Sequence, residues 1–192
     1  MSENTGTSSF TTRRIVIDAM MIALFFLLSS TSIRIGNTFK ITFDSLACLI
    51  TAMLFGPVDA LLVGLVGEFM AQMISYGFTQ TTLLWMLAPA VRGLIPGLGV
   101  VLLKGRMSLG AIRRKKVLPY FLVVALASVL ASFCNTFALY VDSKLFNYYE
   151  YHMVFGVLLV RIGTGLVSAI VMAILVIPIL EALRASRVVE VN

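Results

Sequence analysis

The sequence predicts an all-α membrane protein, a bundle of six transmembrane helices with both termini in the cytoplasm. Three observations lead there. Of the 192 residues, 59% are hydrophobic and only 12% charged, with a mean hydropathy of +0.99, whereas a soluble domain carries about 25% charged residues. The apolar residues gather into runs that approach the ~20 residues a helix needs to cross the hydrocarbon core. Most basic residues fall in the short segments between those runs, as the positive-inside rule requires. That placement also sets nucleic acid aside as the reason for the net charge of +6, because the basic segment 104–116 has no interleaved aromatics.

Taken in order, residues 1–12 (MSENTGTSSFTT) read as a mobile polar tail. The first helix is expected over 13–30. Its "RR", apolar stretch and "SSTS" superficially fit a secretory signal, but Asp18 within the apolar core and the lack of an A-x-A cleavage site favour a retained helix. A short second helix over 44–55 ends at "FGP", and Pro57 opens a third over 58–76. Gly77 stops that helix in the uncharged turn "YGFTQTT", and a fourth follows over 83–103. Then comes "KGRMSLGAIRRKK", with six basic residues and no acidic one. A fifth helix over 117–140 and a sixth over 156–183 complete a single domain, residues 13–187, with a short C-terminal tail at 188–192. Placing the basic loop in the cytoplasm puts both termini there, and Arg13, Arg14, Arg184 and Arg187 agree. On the outer side, residues 30–45 alternate apolar positions (Ile33, Ile35, Phe39, Ile41, Phe43) around Gly36-Asn37, the pattern of a hairpin or extended flap.

The polar residues inside the apolar runs are where function is legible. Cys48 and Cys134 read as small core residues, and His152, the single histidine, leaves no cluster for a metal, so no cofactor is expected. Glu68, Gln72 and Tyr76 recur every four residues on one stripe of the third helix. Trp85, Pro89 and Arg92 share a face of the fourth, Ser128, Ser132 and Asn135 approach the outside on the fifth, and Arg161, Thr164 and Ser168 form a stripe on the sixth. All lie between the midplane and the outer leaflet, where charges must face the bundle interior or a water-filled cavity. Glu68 is offset by Arg92 or Arg161, and two arginines against one glutamate leave one positive charge. The expected site is therefore a pocket for an anionic, planar ligand, read by Glu68, Gln72, Tyr76, Trp85, Arg92, Asn135 and Arg161, with Lys40 on the flap above it. The bland reading of the same residues is an ion pair fixing helix register with hydroxyls bonded to backbone carbonyls.

Small residues Ala19 and Ala23 stand four apart on the first helix and permit close approach of another helix. With the basic loop after the fourth helix, this arrangement resembles the substrate-binding S components of energy-coupling factor (ECF) transporters. "FKITFDSLACLITAMLFGPVDALLVGLVGEF" followed by "YGFTQTTLLWMLAPAVRGLIPG" is similar to their folate-type branch. The resemblance implies a vitamin binder, with folate or a reduced folate as the expected ligand. It also implies a transmembrane T component, contacted through Ala19 and Ala23, and two cytoplasmic ATP-binding subunits. Leu27 departs from a longer run of small residues, and Gln80 stands where related sequences have proline.

No G-x-x-x-x-G-K-[ST] occurs in these residues, so energy for transport is expected from a partner and not from an ATPase in this chain. The alternatives are an S component for pantothenate, a queuosine precursor or riboflavin, or a self-sufficient ion-coupled transporter in which Glu68 carries the proton. An intramembrane hydrolase lacks its constellation: there is no H-E-x-x-H and no G-x-S-x-G.

Overall fold

The computed structural model describes residues 12–31, 33–35, 39–41, 43–103 and 117–185. Its elements are α1 (Thr12–Ser30), β1 (Ile33–Ile35), β2 (Phe39–Ile41), α2 (Ser45–Leu54), α3 (Pro57–Tyr76), α4 (Thr82–Trp85), α5 (Leu87–Leu102), α6 (Leu118–Leu145), a π-helical turn (His152–Gly156) and α7 (Leu158–Ala185). The polar tail, the basic loop and the last residues lie outside the described part.

Among the described residues, four helical stretches are long and apolar enough to cross a membrane: Pro57–Tyr76, Thr82–Leu102, Leu118–Leu145 and His152–Leu183. The other two expected spans differ for physical reasons. Helix α1 carries Arg13, Arg14 and Asp18 in its first two turns, and α2 has only 10 residues. The expected fourth helix is divided at Met86. Pro89 explains this, since it has no N–H to give the Trp85 carbonyl and its ring crowds that oxygen. The fifth continues beyond residue 140 to Leu145, and the sixth starts after the π turn. The flap is a hairpin, with Ile33 opposite Ile41, Arg34 opposite Lys40 and Ile35 opposite Phe39 in antiparallel register.

Helix α2 is the centre of the bundle. It packs against α1, α3, α5 and α7, and every residue from Ala47 to Leu54 is buried. The longer helices follow one another around it as α1–α3–α5–α6–α7. The main apolar core gathers Leu49, Ile50, Met53 and Leu54 of α2 with Tyr120 and Val124 of α6 and Met172, Val176 and Leu180 of α7. The Tyr120 hydroxyl, fully buried, donates to the Ala173 carbonyl at 3.1 Å. Helices α3 and α5 come together backbone to backbone: a Cβ on Gly64 would lie 2.6 Å from the Pro89 carbonyl oxygen, and one on Gly93 would collide with the Ala60 carbonyl. Without a hydrophobic drive between helices in lipid, such close approach is a main source of association.

At the end of α2 away from the hairpin, Arg14 of α1 reaches the α2–α3 corner. Its Nη2 lies 2.5 Å from Oδ2 of Asp59, its Nε donates to the same oxygen at 2.6 Å, and Nη2 also donates to the Phe55 carbonyl at 3.3 Å. Asp59 is completely buried. Positive charge at residue 14 is thus a structural anchor.

Two stability predictions follow from these contacts. Gly93→Ala is expected to cost about 1–3 kcal/mol through overpacking and to lower the thermal midpoint in detergent, whereas Gly163→Ala, whose Cβ meets nothing within 4 Å, should not lower it. Arg14→Ala strands a buried carboxylate and should cost about 3–5 kcal/mol. Arg14→Leu combined with Asp59→Leu should recover most of that loss in the same unfolding assay.

Candidate functional site

A cavity of about 430 Å³ opens above the first turn of α2. The sequence-predicted residues Glu68, Gln72, Tyr76, Trp85, Arg92, Asn135 and Arg161 all line it. The structure therefore brings together every predicted site residue except Lys40, whose backbone lies in β2 and whose side chain is outside the described part. The volume falls within the range of about 300–1,000 Å³ typical of small-molecule pockets.

Each wall has a local cause. On α3, the four-residue spacing keeps Glu68, Gln72 and Tyr76 on one face, and Gln72 Nε2 donates to Glu68 Oε1 at 2.8 Å. Tyr76, 67% exposed, forms the rim. The break before α5 sets Trp85 on one side of Met86 and Pro89 and Arg92 on the other, all three facing the cavity. On α6 and α7, Ser128, Ser132, Thr164 and Ser168 make a rail of hydroxyls. Ser132 donates to the Ser128 carbonyl at 2.9 Å and Thr164 to the Val160 carbonyl at 2.9 Å, so these two spend their protons on their own helices and keep oxygen lone pairs as acceptors. Gly165 lets α7 approach α6 here, since a Cβ would stand 3.1 Å from Ser128 Oγ and 3.2 Å from Ser132 Oγ.

The ion pairing differs from the sequence expectation. Arg92 Nη1 lies 3.5 Å from Asp44 Oδ1 and 3.5 Å from Ser45 Oγ. Asp44 was expected on the outer side with no part in the site, yet it lines the cavity and is 5% exposed. It stands at the N-cap of α2 but makes no side-chain capping bond. An acidic residue at the start of a short buried helix was the available signal. Arg161 sends Nη2 to the Met153 carbonyl at 2.9 Å and Nη1 to the Val154 carbonyl at 3.4 Å, pinning the π turn over the cavity edge. Counting Asp44, the described lining carries two acids and two arginines, so the surplus positive charge inferred from the helices alone is gone.

The outer rim is tied by Asp142, which accepts from the Thr81 hydroxyl and from the Tyr148 phenol. Burial, then the hydrogen bond and charge of Asp142, push the Tyr148 phenol up to about 12, so it remains a donor at physiological pH. Ala19 and Ala23, on α1, are exposed, and Cys48 and Cys134 are free thiols, the first buried and the second half-buried.

Apolar helices of membrane length around one polar, ligand-sized chamber define a membrane protein built to hold a small molecule. Residues 9–185 match the family model described as ECF-type riboflavin transporter, S component, and the chain belongs to that family. A UPF0397 protein of Exiguobacterium sp. (strain ATCC BAA-1283 / AT1b) is 31% identical over 117 residues, which cover 59% of this chain and 61% of the relative. The chain thus spans about three fifths of that relative's length. The motif resemblance and the family match agree on the S component; the matched family's description carries riboflavin where the motifs pointed to folate.

If the chamber holds water, Asn135→Cys in a Cys48→Ala, Cys134→Ala background should react with a charged, membrane-impermeant maleimide. Phe137→Cys, on the 54%-exposed apolar surface of α6, should remain unlabelled in nanodiscs.

Proposed function

We propose that this chain is the substrate-binding S component of an ECF importer, and that its ligand is an uncharged planar heterocycle with a hydroxylated chain, riboflavin being the best fit. In this reading the protein spans the prokaryotic plasma membrane six times, with both termini in the cytoplasm. It captures the vitamin in the outward chamber and hands it over through a T component, seated along Ala19 and Ala23, to a machine driven by two ATP-binding subunits. This chain itself is no enzyme.

The observation that carries the ligand choice is the balance of charge in the chamber. Two acids match two arginines in the described lining, and an anionic ligand could engage Arg92 only by breaking its pair with Asp44, whereas a neutral one need not. The rest of the lining fits the same chemistry. Trp85 offers a stacking face, Glu68, Gln72 and Asn135 offer donors and acceptors for the polar edge of a ring, and the hydroxyl rail of Ser128, Ser132, Thr164 and Ser168 suits a polyol chain. Folate or a reduced folate is the second reading. It is favoured by Arg161, which among the described residues is held by carbonyl oxygens and by no carboxylate, leaving a guanidinium for an anionic tail.

Trp85 is the single tryptophan, so its fluorescence in the purified chain reports on the chamber. Titration with riboflavin, folate, 5-formyltetrahydrofolate, pantothenate, thiamine, biotin and queuine, checked by calorimetry, should give submicromolar, one-to-one binding of riboflavin. Tight binding of a folate instead would establish the second reading. Binding of none by folded protein would overturn both and return attention to proton-coupled transport through Glu68. Glu68→Gln should keep the thermal midpoint and weaken the bound vitamin by tenfold or more, about 1.4 kcal/mol.

A further inference from the structure

We infer that Asp44 sets the charge selectivity of the chamber at Arg92: by holding that guanidinium it keeps it from acting as an anion receptor, and so disfavours phosphorylated or carboxylated forms of the ligand. The inference deepens the proposed function and rests on the cavity being the ligand site.

The geometry is specific. An aspartate at a helix N-cap ordinarily accepts an N–H of its own first turn. Asp44 makes no such bond. Its Oδ1 is instead 3.5 Å from Arg92 Nη1 and 3.2 Å from Ser45 Oγ, and Ser45 Oγ is in turn 3.5 Å from Arg92 Nη1. The three groups close a triangle on the cavity wall. Within the pair the exposures are unequal: the Asp44 side chain is 6% exposed and that of Arg92 27%. The carboxylate is therefore the hidden partner and the guanidinium the one that an arriving ligand meets.

This inequality produces selectivity. An anionic group entering the chamber could recruit Arg92 only by taking it from Asp44, and Asp44 would then be an unpaired carboxylate with almost no access to water. The repulsion between the two anions adds to that loss. A neutral ligand can accept a hydrogen bond from the accessible face of Arg92 without disturbing the pair. Discrimination thus comes from a penalty placed on the wrong ligand as well as from contacts made to the right one. Glu68 accepts from Gln72 on α3, whereas Asp44 is the carboxylate placed against Arg92.

The test reads charge at the site with and without a vitamin. The full chain in phosphatidylcholine nanodiscs is compared as wild type, Asp44→Asn, Asp44→Asn with Arg92→Gln, and Glu150→Gln, the last removing an exposed acid outside the cavity. Quenching of Trp85 by iodide is divided by quenching by neutral acrylamide. Asp44→Asn should raise this ratio about twofold or more, the double variant should return it to the wild-type value, and Glu150→Gln should not change it. A ratio unmoved by Asp44→Asn, or moved equally by Glu150→Gln, overturns the inference. In parallel, wild type should prefer riboflavin over riboflavin 5′-phosphate by at least about a hundredfold, and Asp44→Asn should narrow that preference by tenfold or more. Equal wild-type affinities overturn the inference too. Failure of riboflavin to bind at all counts against the proposed ligand, while the iodide ratio still decides the role of Asp44.

Discussion

A charged or amide side chain has no partner in hydrocarbon, and the arrangement of this bundle follows from that constraint. Glu68, Gln72, Arg92, Asn135 and Arg161 sit on apolar helices and can be accommodated only where they face one another or water. The short α2, buried from Ala47 to Leu54, makes room for them. Above its first turn the longer helices enclose a chamber lined by their polar stripes, and around its body they bury an apolar core. At the other end, Arg14 and Asp59 fasten α1 to the α2–α3 corner. Close glycine contacts between α3 and α5 supply the packing that the hydrophobic effect supplies in water.

Much of this could be read from the residues. Periodicity located the stripes, because a spacing of three or four residues fixes a face whatever the helix packs against. The coincidence of the stripes at one depth located the chamber, and Gly77 and Pro57 marked helix ends where the structure has them. What escaped was interaction across segments. Asp44 belongs to the chamber because the chain turns into α2 beside Arg92, and no one-dimensional pattern reports a contact between residues 48 positions apart. With Asp44 included, the described lining is a balanced pocket and not a cationic one. The division of the fourth helix was missed although Pro89 was in view, since a proline can be absorbed within a membrane helix when its neighbours satisfy the freed carbonyl. The partnership of Arg14 with Asp59 was hidden for the same reason as that of Asp44.

Membership in the S-component family and the chemistry of the chamber bear on different questions. The family fixes the kind of scaffold. The chemistry of the chamber rests on a handful of side chains, and Asp44, paired with Arg92, balances the charge that the helix stripes alone would leave. Arg161 shows how finely this is set, because its guanidinium is shared between the cavity wall and the carbonyls of the π turn.

The shortness of α2 has a geometric consequence. Its 10 residues rise about 15 Å, roughly half of a ~30 Å hydrocarbon core. The chamber opens above the first turn of this helix, so α2 is the pedestal on which the chamber floor rests. Adding a single turn, about 5.4 Å, would lift the floor toward the hairpin, and removing one would sink it toward Arg14. A scaffold of this design can be fitted to longer or shorter solutes by trimming one buried segment, while the outer ring of helices, and whatever docks on it, stays the same.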